Sequence, residues 1–258
     1  MKIIVASPHK VGSTWLAQML RDIVGVKRLF QLPENYRHNP KLPEILNLNA
    51  PRVRDYLAGL QGSAVFKSHS NCPSWVPEQN LSDDVYFFTI LRDPRDALIS
   101  LAFYLTTIPS DRGGHPELDA LTTTDRLHWI LESGRGDLPL YEGWASAEGV
   151  HKFLYENLLA DPKAALVEGF EKYRLPLEVT EKILAAHSFE SKSGGRTRGT
   201  EDPKAFLRKG TAGDWKNHFD KALVDKFKSA QKGRWNKILL QLGYEKSADW
   251  QMSASPET

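Results

Sequence analysis

Short apolar runs alternate with amphipathic stretches along the first hundred residues. The β-branched run Lys2 to Ala6 predicts a strand, the polar segment Ser7 to Gly12 a turn, and Trp15, Leu16, Met19, Leu20 and Ile23 recur at helical spacing. Ser13 stands where a helix cap is expected. A second strand is expected from Ala64 to Lys67, ahead of a polar loop beginning at Ser68. A third, Val85 to Leu91, is apolar throughout, as strands of buried parallel sheets are. Asp93 and Pro94 then read as a cap followed by proline at the first helical position, with Ala97, Leu98, Leu101, Ala102 and Leu105 continuing the helix. Strands alternating with helices predict a parallel α/β sheet joined by right-handed crossovers.

Between Thr106 and Gly149 the pattern weakens to loops around one helix, about Thr124 to Ser133. Gly149 to Tyr155 reads as a further strand, Asp161 and Pro162 as a helix start, and Glu178 to His187 as another helix. The segment Ser191 to Asp202, rich in Gly, Ser, Thr and Arg, reads as a mobile loop. A last helix is expected from Lys221 to Leu242. With no internal repeat and no interdomain linker, the expectation is one domain over residues 1–245 and a flexible tail over 246–258.

Composition narrows the class. Hydrophobic residues make up 41% of the 258 and charged residues 26%, with Gly 18 and Pro 15, which excludes disordered, collagen-like and coiled-coil chains. Lys and Arg total 34 against 32 Asp and Glu, a net charge of +2, so nucleic-acid binding through bulk positive charge is not expected. The lone cysteine, Cys72, cannot form an internal disulfide. The N-terminal apolar run is too short for a signal-peptide core, and no run approaches the ~20 residues of a membrane span. The expected location is cytoplasmic, with no membrane partner.

Four constellations can carry chemistry. The turn Pro8-His9-Lys10-Val11-Gly12-Ser13-Thr14-Trp15 sits between a strand and a helix start, where backbone N–H groups and the helix dipole favour an anion; an ordinary capped turn is the equal alternative. It is not a Walker A loop, because its lysine precedes the glycine. Lys67-Ser68-His69 ends the second strand, where ligands of open α/β sheets bind. A neutral histidine there can accept a proton beside a charge-stabilising lysine, although a surface-loop histidine is the commoner reading. Arg92 ends the third strand, with Ser100 on the following helix; they form either one edge of a phosphate site or an arginine paired with Asp93 or Asp96. In Phe206-Leu207-Arg208-Lys209-Gly210-Thr211-Ala212-Gly213-Asp214-Trp215-Lys216, side-chain and main-chain donors can converge on one phosphate. Lys204 to Lys237 holds ten Lys or Arg against three Asp, a patch read over Lys221 to Lys237 as a solvated helix face.

Together the four pieces resemble one family, the cytosolic-type sulfotransferases that use 3′-phosphoadenosine 5′-phosphosulfate (PAPS). The loop from Pro8 to Trp15 is similar to that family's Y-P-K-S-G-T-T-W. Lys67-Ser68-His69 matches its K-x-H, Arg92 to Asp96 with Ser100 its R-[ND]-P-[KR]-D and serine, and Arg208 to Lys216 its R-K-G-x-x-G-D-W-K. Tyr155 to Leu158 matches Y-E-[DN]-[ML], and Ser188-Phe189 the short S-F element. The resemblance spans roughly residues 3–219, weakly over 30–60 and 106–140. It implies a single α/β domain, a central parallel sheet flanked by helices in the P-loop-kinase-like sulfotransferase fold, and no required metal.

Position by position, the resemblance implies that Lys10, Gly12, Ser13 and Thr14 hold the 5′-phosphosulfate, and that Trp15, Tyr155 and Phe189 pack around the adenine. Arg92, Ser100, Arg208, Lys209 and Gly210 would bind the 3′-phosphate. His69 would take the acceptor's proton, Lys10 and Lys67 would stabilise the transferring and departing groups, and Ser100 would also restrain Lys10. The chain departs from the pattern at His9, for proline, and at Val11, for serine, so one hydroxyl donor is missing and weaker donor binding is expected. The family's dimer motif, K-x-x-x-T-V-x-x-x-E, falls on Lys216, Asp220, Lys221 and Asp225 and is broken, leaving the oligomer open.

Two other readings compete. A P-loop-like kinase is disfavoured by the lysine-before-glycine order, and an RNA-binding module would stack bases on Trp215, Phe219, Phe227 and Trp235, of which Phe227 and Trp235 are better read as core. The expected partner is a small-molecule alcohol, phenol or amine. Phe30, Tyr36, Trp75, Tyr104, Trp129, Tyr141 and Trp144 are its candidate pocket residues, each equally readable as core.

Overall fold

A computed structural model describes residues 1–26, 32–76 and 83–251. In chain order its elements are β1 (Lys2–Ala6), α1 (Ser13–Val24), β2 (Arg37–Asn39), β3 (Leu42–Leu46), α2 (Val53–Gly59), β4 (Ala64–Ser68), β5 (Val85–Leu91), α3 (Pro94–Thr107), α4 (Thr123–Ser133), α5 (Leu138–Ser146), β6 (His151–Leu154), α6 (Tyr155–Ala160), α7 (Pro162–Lys172), α8 (Glu181–Ala186), α9 (Phe189–Lys192) and α10 (Lys221–Gln241). The chain divides into two compact units, Met1–Arg92 with Pro139–Thr200, and Asp93–Leu138 with Glu201–Thr258.

The first unit is built on a six-stranded sheet in the order β2-β3-β4-β1-β5-β6. β1 pairs parallel with β4 and β5, β3 with β4, and β5 with β6; only β2 against β3 is antiparallel. The expected α/β class with a mostly parallel sheet therefore holds. The continuous apolar runs follow from burial on both faces: all five residues of β1 are buried, as are the last five of β5. α1 packs on β4, β1 and β5, and α7 on β6. Strands β2 and β3 were not expected, because Arg37–Asn39 and Leu42–Leu46 lie where the polar pattern has no clear period.

Local chemistry sets the helix ends. Asp161 and Thr180 cap α7 and α8, their side chains accepting from the N–H groups of Ala164 and Ile183. The expectation that Ser13 caps α1 is corrected: the capping position is Gly12, left-handed at φ +96°, and Ser13 is the first helical residue. The tight loop after β1 needs a positive φ at its end, which a side chain resists and glycine accepts.

In the second unit α3, α4 and α10 pack together, with Asp93 capping α3 and Thr122 capping α4. α10 is broken at Ala230–Gly233, where three residues in a row have positive φ. Phe227 and Trp235 are core as expected, and Trp215 and Phe219 are buried as well, so none of the four offers an open face to a base. Arg95, almost fully buried, lies 3.7 Å from the ring centre of Trp215 and 4.6 Å from that of Trp250, and forms ion pairs with Asp93 and Glu245. Trp250, inside the stretch expected to be a flexible tail, is buried; residues 252–258 lie outside those described. Asp96, also buried, accepts hydrogen bonds from the backbone N–H groups of Gly213 (2.7 Å) and Trp215 (2.8 Å).

Asp96→Ala removes both charged acceptors and strands two N–H groups, the buried one of Trp215 and the partly buried one of Gly213. Its expected cost is roughly 3 kcal/mol or more of stability, read as a lower urea midpoint, whereas an unchanged midpoint would show that the turn at Gly213 holds without Asp96.

Candidate active site

Parallel pairing brings the C-terminal ends of β4, β1, β5 and β6 side by side, the edge at which open α/β sheets bind ligands. Ser7 follows β1, His69 follows β4, Arg92 follows β5 and Tyr155 follows β6. The first unit thus gathers Lys10, Gly12, Ser13, Thr14, Trp15, Lys67, His69, Arg92, Tyr155 and Phe189; Ser100, Arg208, Lys209 and Gly210 belong to the second.

The loop after β1 turns through two left-handed residues, Lys10 at φ +63° and Gly12 at φ +96°. A Cβ on Gly12 would lie 2.9 Å from the Tyr155 ring. The first turn of α1 carries no acidic side chain, so its N–H groups and dipole remain suited to an anion. Val11, where the resembling motif has serine, is fully buried and packs inward, so its missing hydroxyl concerns a side chain directed away from solvent.

Strand alternation puts Lys67 and His69 on one side of β4's end and Ser68 on the other. Ser68, which sequence reading passed over, is buried and donates to the Leu46 carbonyl (2.8 Å), tying the K-x-H segment to β3. Lys67 Nζ donates to Thr14 Oγ1 (3.0 Å), joining β4 to the start of α1. Burial lowers the Lys67 pKa and Arg21 adds to that, while Glu44 opposes it. His69 Nδ1 is 2.8 Å from the Ser7 carbonyl oxygen, which can only accept; Nδ1 therefore carries the hydrogen and Nε2 the lone pair. The His69 pKa lies well below the ordinary histidine value, chiefly through burial and then through the neighbouring charges of His9 and Lys67.

Arg92 reaches the Lys10 carbonyl (3.4 Å) and lies 4.4 Å from the Tyr155 ring centre. Trp15 meets Tyr155 edge-on at 6.1 Å and donates its indole N–H to the His187 carbonyl (2.8 Å). His187 in turn faces Asp22 at 2.6 Å, and the buried Phe189 ring carries Arg196 5.4 Å from its centre.

In the second unit Asp214 is the hub of the basic loop. Arg208 and Lys209 both donate to it, as does Asn217, with His218 3.4 Å away; Arg208 also bonds Glu201 (2.5 Å). Burial pushes the Asp214 pKa up, but the hydrogen bonds from His218, Arg208, Lys209 and Asn217 outweigh it and hold the carboxyl far below its usual range. Ser100 stands partly exposed on α3.

Of the expected pocket residues, Tyr141 and Trp144 are core. Tyr141 donates to the Arg92 carbonyl (3.2 Å) and Trp144 to the Ser70 carbonyl (2.9 Å), so their polar ends are used internally. Tyr36 stacks on Tyr56 at 4.3 Å, Trp75 meets Phe87 edge-on, Tyr104 lies against Phe206, and Trp129 against His115. Phe30 lies outside the described residues.

The sulfotransferase domain model matches residues 1–246. The chain belongs to the sulfotransferase family. It is 27% identical to a 3-α-hydroxysteroid sulfotransferase of Cavia porcellus and 26% to cytosolic sulfotransferase 10 of Arabidopsis thaliana; each match spans 87% of this chain and 80% and 75% of the relative. Its fold is similar to a retinol dehydratase crystallised with androsterone and inactive cofactor PAP (TM-score 0.60, 18% identity, 93% of this chain and 80% of that one). It is also similar to the mouse sulfotransferase SULT7A1 complexed with PAP (TM-score 0.57, 18% identity, 92% and 88%). Among the described residues of this sulfotransferase, no helix is long and apolar enough to cross a membrane, and no cluster of three or more His, Cys, Asp or Glu is arranged for a metal ion.

Gly12→Ala places a methyl group against the Tyr155 ring and an L-residue at a positive φ. A loss of about 1–3 kcal/mol is expected, measured by chemical denaturation; a wild-type midpoint would show that the loop accommodates a side chain by moving.

Proposed function

We propose that this sulfotransferase moves the sulfuryl group of PAPS in line to a hydroxyl or amine of a small apolar or aromatic acceptor in the cytoplasm, with His69 as general base. The observation that carries the proposal is the tautomer of His69: its Nδ1 hydrogen is engaged by the Ser7 carbonyl, leaving Nε2 to accept a proton beside the loop that opens α1. The PAP bound to the two solved neighbours supports the choice of donor, and the steroid in the guinea-pig relative's name supports an apolar acceptor.

The residues present suit a phosphosulfate. Gly12 leaves room beside Tyr155 that a Cβ would fill, the N–H groups of α1's first turn and the Thr14 hydroxyl supply donors, and Lys10 supplies positive charge. PAPS supplies an activated sulfuryl group and a phosphate leaving group. The acceptor oxygen or nitrogen attacks sulfur, its proton passes to His69 Nε2, and the bond from sulfur to the bridging phosphate oxygen breaks with its electron pair on that oxygen. Lys67 and Lys10 are assigned to the charge that develops there, a role given to fixed cations in the related transfer of phosphoryl groups. Lys67 is held in place by Thr14, so its position costs no reorganisation during the reaction.

Trp15, Tyr155 and Phe189 are assigned to the adenine; Arg92, Ser100, Arg208, Lys209 and Gly210 to the 3′-phosphate. The support for these is the match of each position to the family motif, together with the edge contact of Trp15 on Tyr155 and the Arg92 guanidinium over the same ring.

Calorimetric titration with 3′-phosphoadenosine 5′-phosphate (PAP) and with ADP tests the donor assignment. PAP is expected to bind at least tenfold more tightly, about 1.4 kcal/mol; equal affinities would remove the 3′-phosphate site, and no binding of either would remove the donor. Lys209→Ala is expected to weaken PAP by about 1.5–3 kcal/mol and leave ADP unmoved. His69→Ala is expected to abolish turnover while PAP still binds, so retained turnover would take His69 out of the mechanism.

A further inference from the structure

The base position holds a second imidazole. The rings of His9 and His69 stack with centres 3.9 Å apart and planes 22° from parallel. His9 lies two residues after Ser7, whose carbonyl binds His69 Nδ1. One short stretch of the loop after β1 therefore grips the His69 ring twice, at an edge through Ser7 and on a face through His9. Pro8 between them is buried and the loop then turns at the left-handed Lys10, so the grip is set by backbone geometry as well as by the side chain.

We propose that His9 is a positioning residue for the general base, its ring clamping one face of His69 and its charge opposing a second proton on the stacked pair. The proposal rests on the reading of His69 as the base and adds to it. Two imidazolium rings in contact repel strongly because little water separates them, so a proton on one discourages a proton on the other. A base must be neutral to act, and the pair keeps His69 neutral at a pH where a lone imidazole takes up a proton.

The surroundings point the same way. The groups acting on His69 include His9 from the loop, Lys67 from β4 and His38 from β2, all cationic when protonated, while the hydrogen bond to the Ser7 carbonyl acts the other way. Burial is the largest cause of the low His69 pKa and His9 the next. The clamp also fixes ring rotation. With Nδ1 bound in the ring plane and His9 covering one face, the direction of the Nε2 lone pair is restricted before any acceptor arrives, which is what proton abstraction requires.

Two variants of the full chain separate the clamp from the charge. His9→Phe keeps an aromatic ring and removes the titrating group; His9→Ala removes both. The His69 titration is followed by NMR of the imidazole ring, and turnover of PAPS with 2-naphthol as a probe phenol is followed against pH. In His9→Phe the His69 midpoint is expected to rise by about one pH unit, the spacing at which neighbouring sites count as coupled. Turnover on the acid side should fall by about tenfold as the base protonates earlier. In His9→Ala the same shift is expected together with a lower kcat at the alkaline plateau, the KM for PAPS changing less than kcat. An unmoved His69 midpoint in both variants would overturn the proposal, and so would a shift to lower pH. The two readings fail separately: a His69→Ala enzyme that turns over normally sinks the base assignment, whereas an inactive His69→Ala enzyme with an unmoved midpoint in His9→Phe sinks only the role of His9.

Discussion

Parallel strands all end at the same edge, and in this chain that constraint decides where the chemistry sits. β4, β1, β5 and β6 are neighbours in the sheet, so the residues that follow them become neighbours whatever their distance in sequence. Ser7 and His69 are 62 positions apart and share a hydrogen bond; Lys10 and Arg92 are 82 apart and share another. The loop after β1 can sit in the middle of this edge only by turning tightly, which calls for the positive φ of Lys10 and Gly12 and for the bare face of Gly12 against Tyr155. Pairing of β1 with β4 on one side and β5 on the other then fixes where the loop begins.

Charge is handled differently in the two units. In the first, neutral groups help to hold the cations at the strand ends: the Thr14 hydroxyl accepts from Lys67, and Arg92 meets the Lys10 carbonyl and the Tyr155 face. A neutral partner holds position without cancelling charge, which suits a group that must meet an anion. In the second unit the cations are paired with carboxylates. Arg95 is held by Asp93 and Glu245 between two tryptophans, and Asp214 collects Arg208 and Lys209. Buried charges of this kind are tolerated because their hydrogen-bonding capacity is filled. The last described residues share in it, with Lys228 donating to the Trp250 carbonyl and Trp250 bonding Asn236.

Much of this was legible in the chain. Apolar runs without alternation marked β1 and β5 as buried parallel strands, because only a strand covered on both faces needs no polar side. Asp-Pro pairs marked the starts of α3 and α7, because the carboxylate accepts the orphan N–H groups and proline needs no donor. The run Ala64 to Lys67 followed by a polar loop marked the end of β4, one residue short of the strand's last residue, Ser68. The short strands Arg37–Asn39 and Leu42–Leu46 were not legible: a strand of three to five residues at an edge draws its stability from pairing with β4 and carries no period of its own.

The sequence by itself determined the family, the α/β class, the strands β1, β4 and β5 with the helices that follow β1 and β5, and the motif residues, because these depend on local patterns and on residue types at short spacing. Tertiary structure alone decided that Gly12 and not Ser13 caps α1, that Val11, Tyr141 and Trp144 face the interior, that Ser68 anchors the base segment to β3, and that His9 lies flat on His69. Each of those facts is a contact or an orientation between segments remote in sequence, and the packing of the whole sheet selects it.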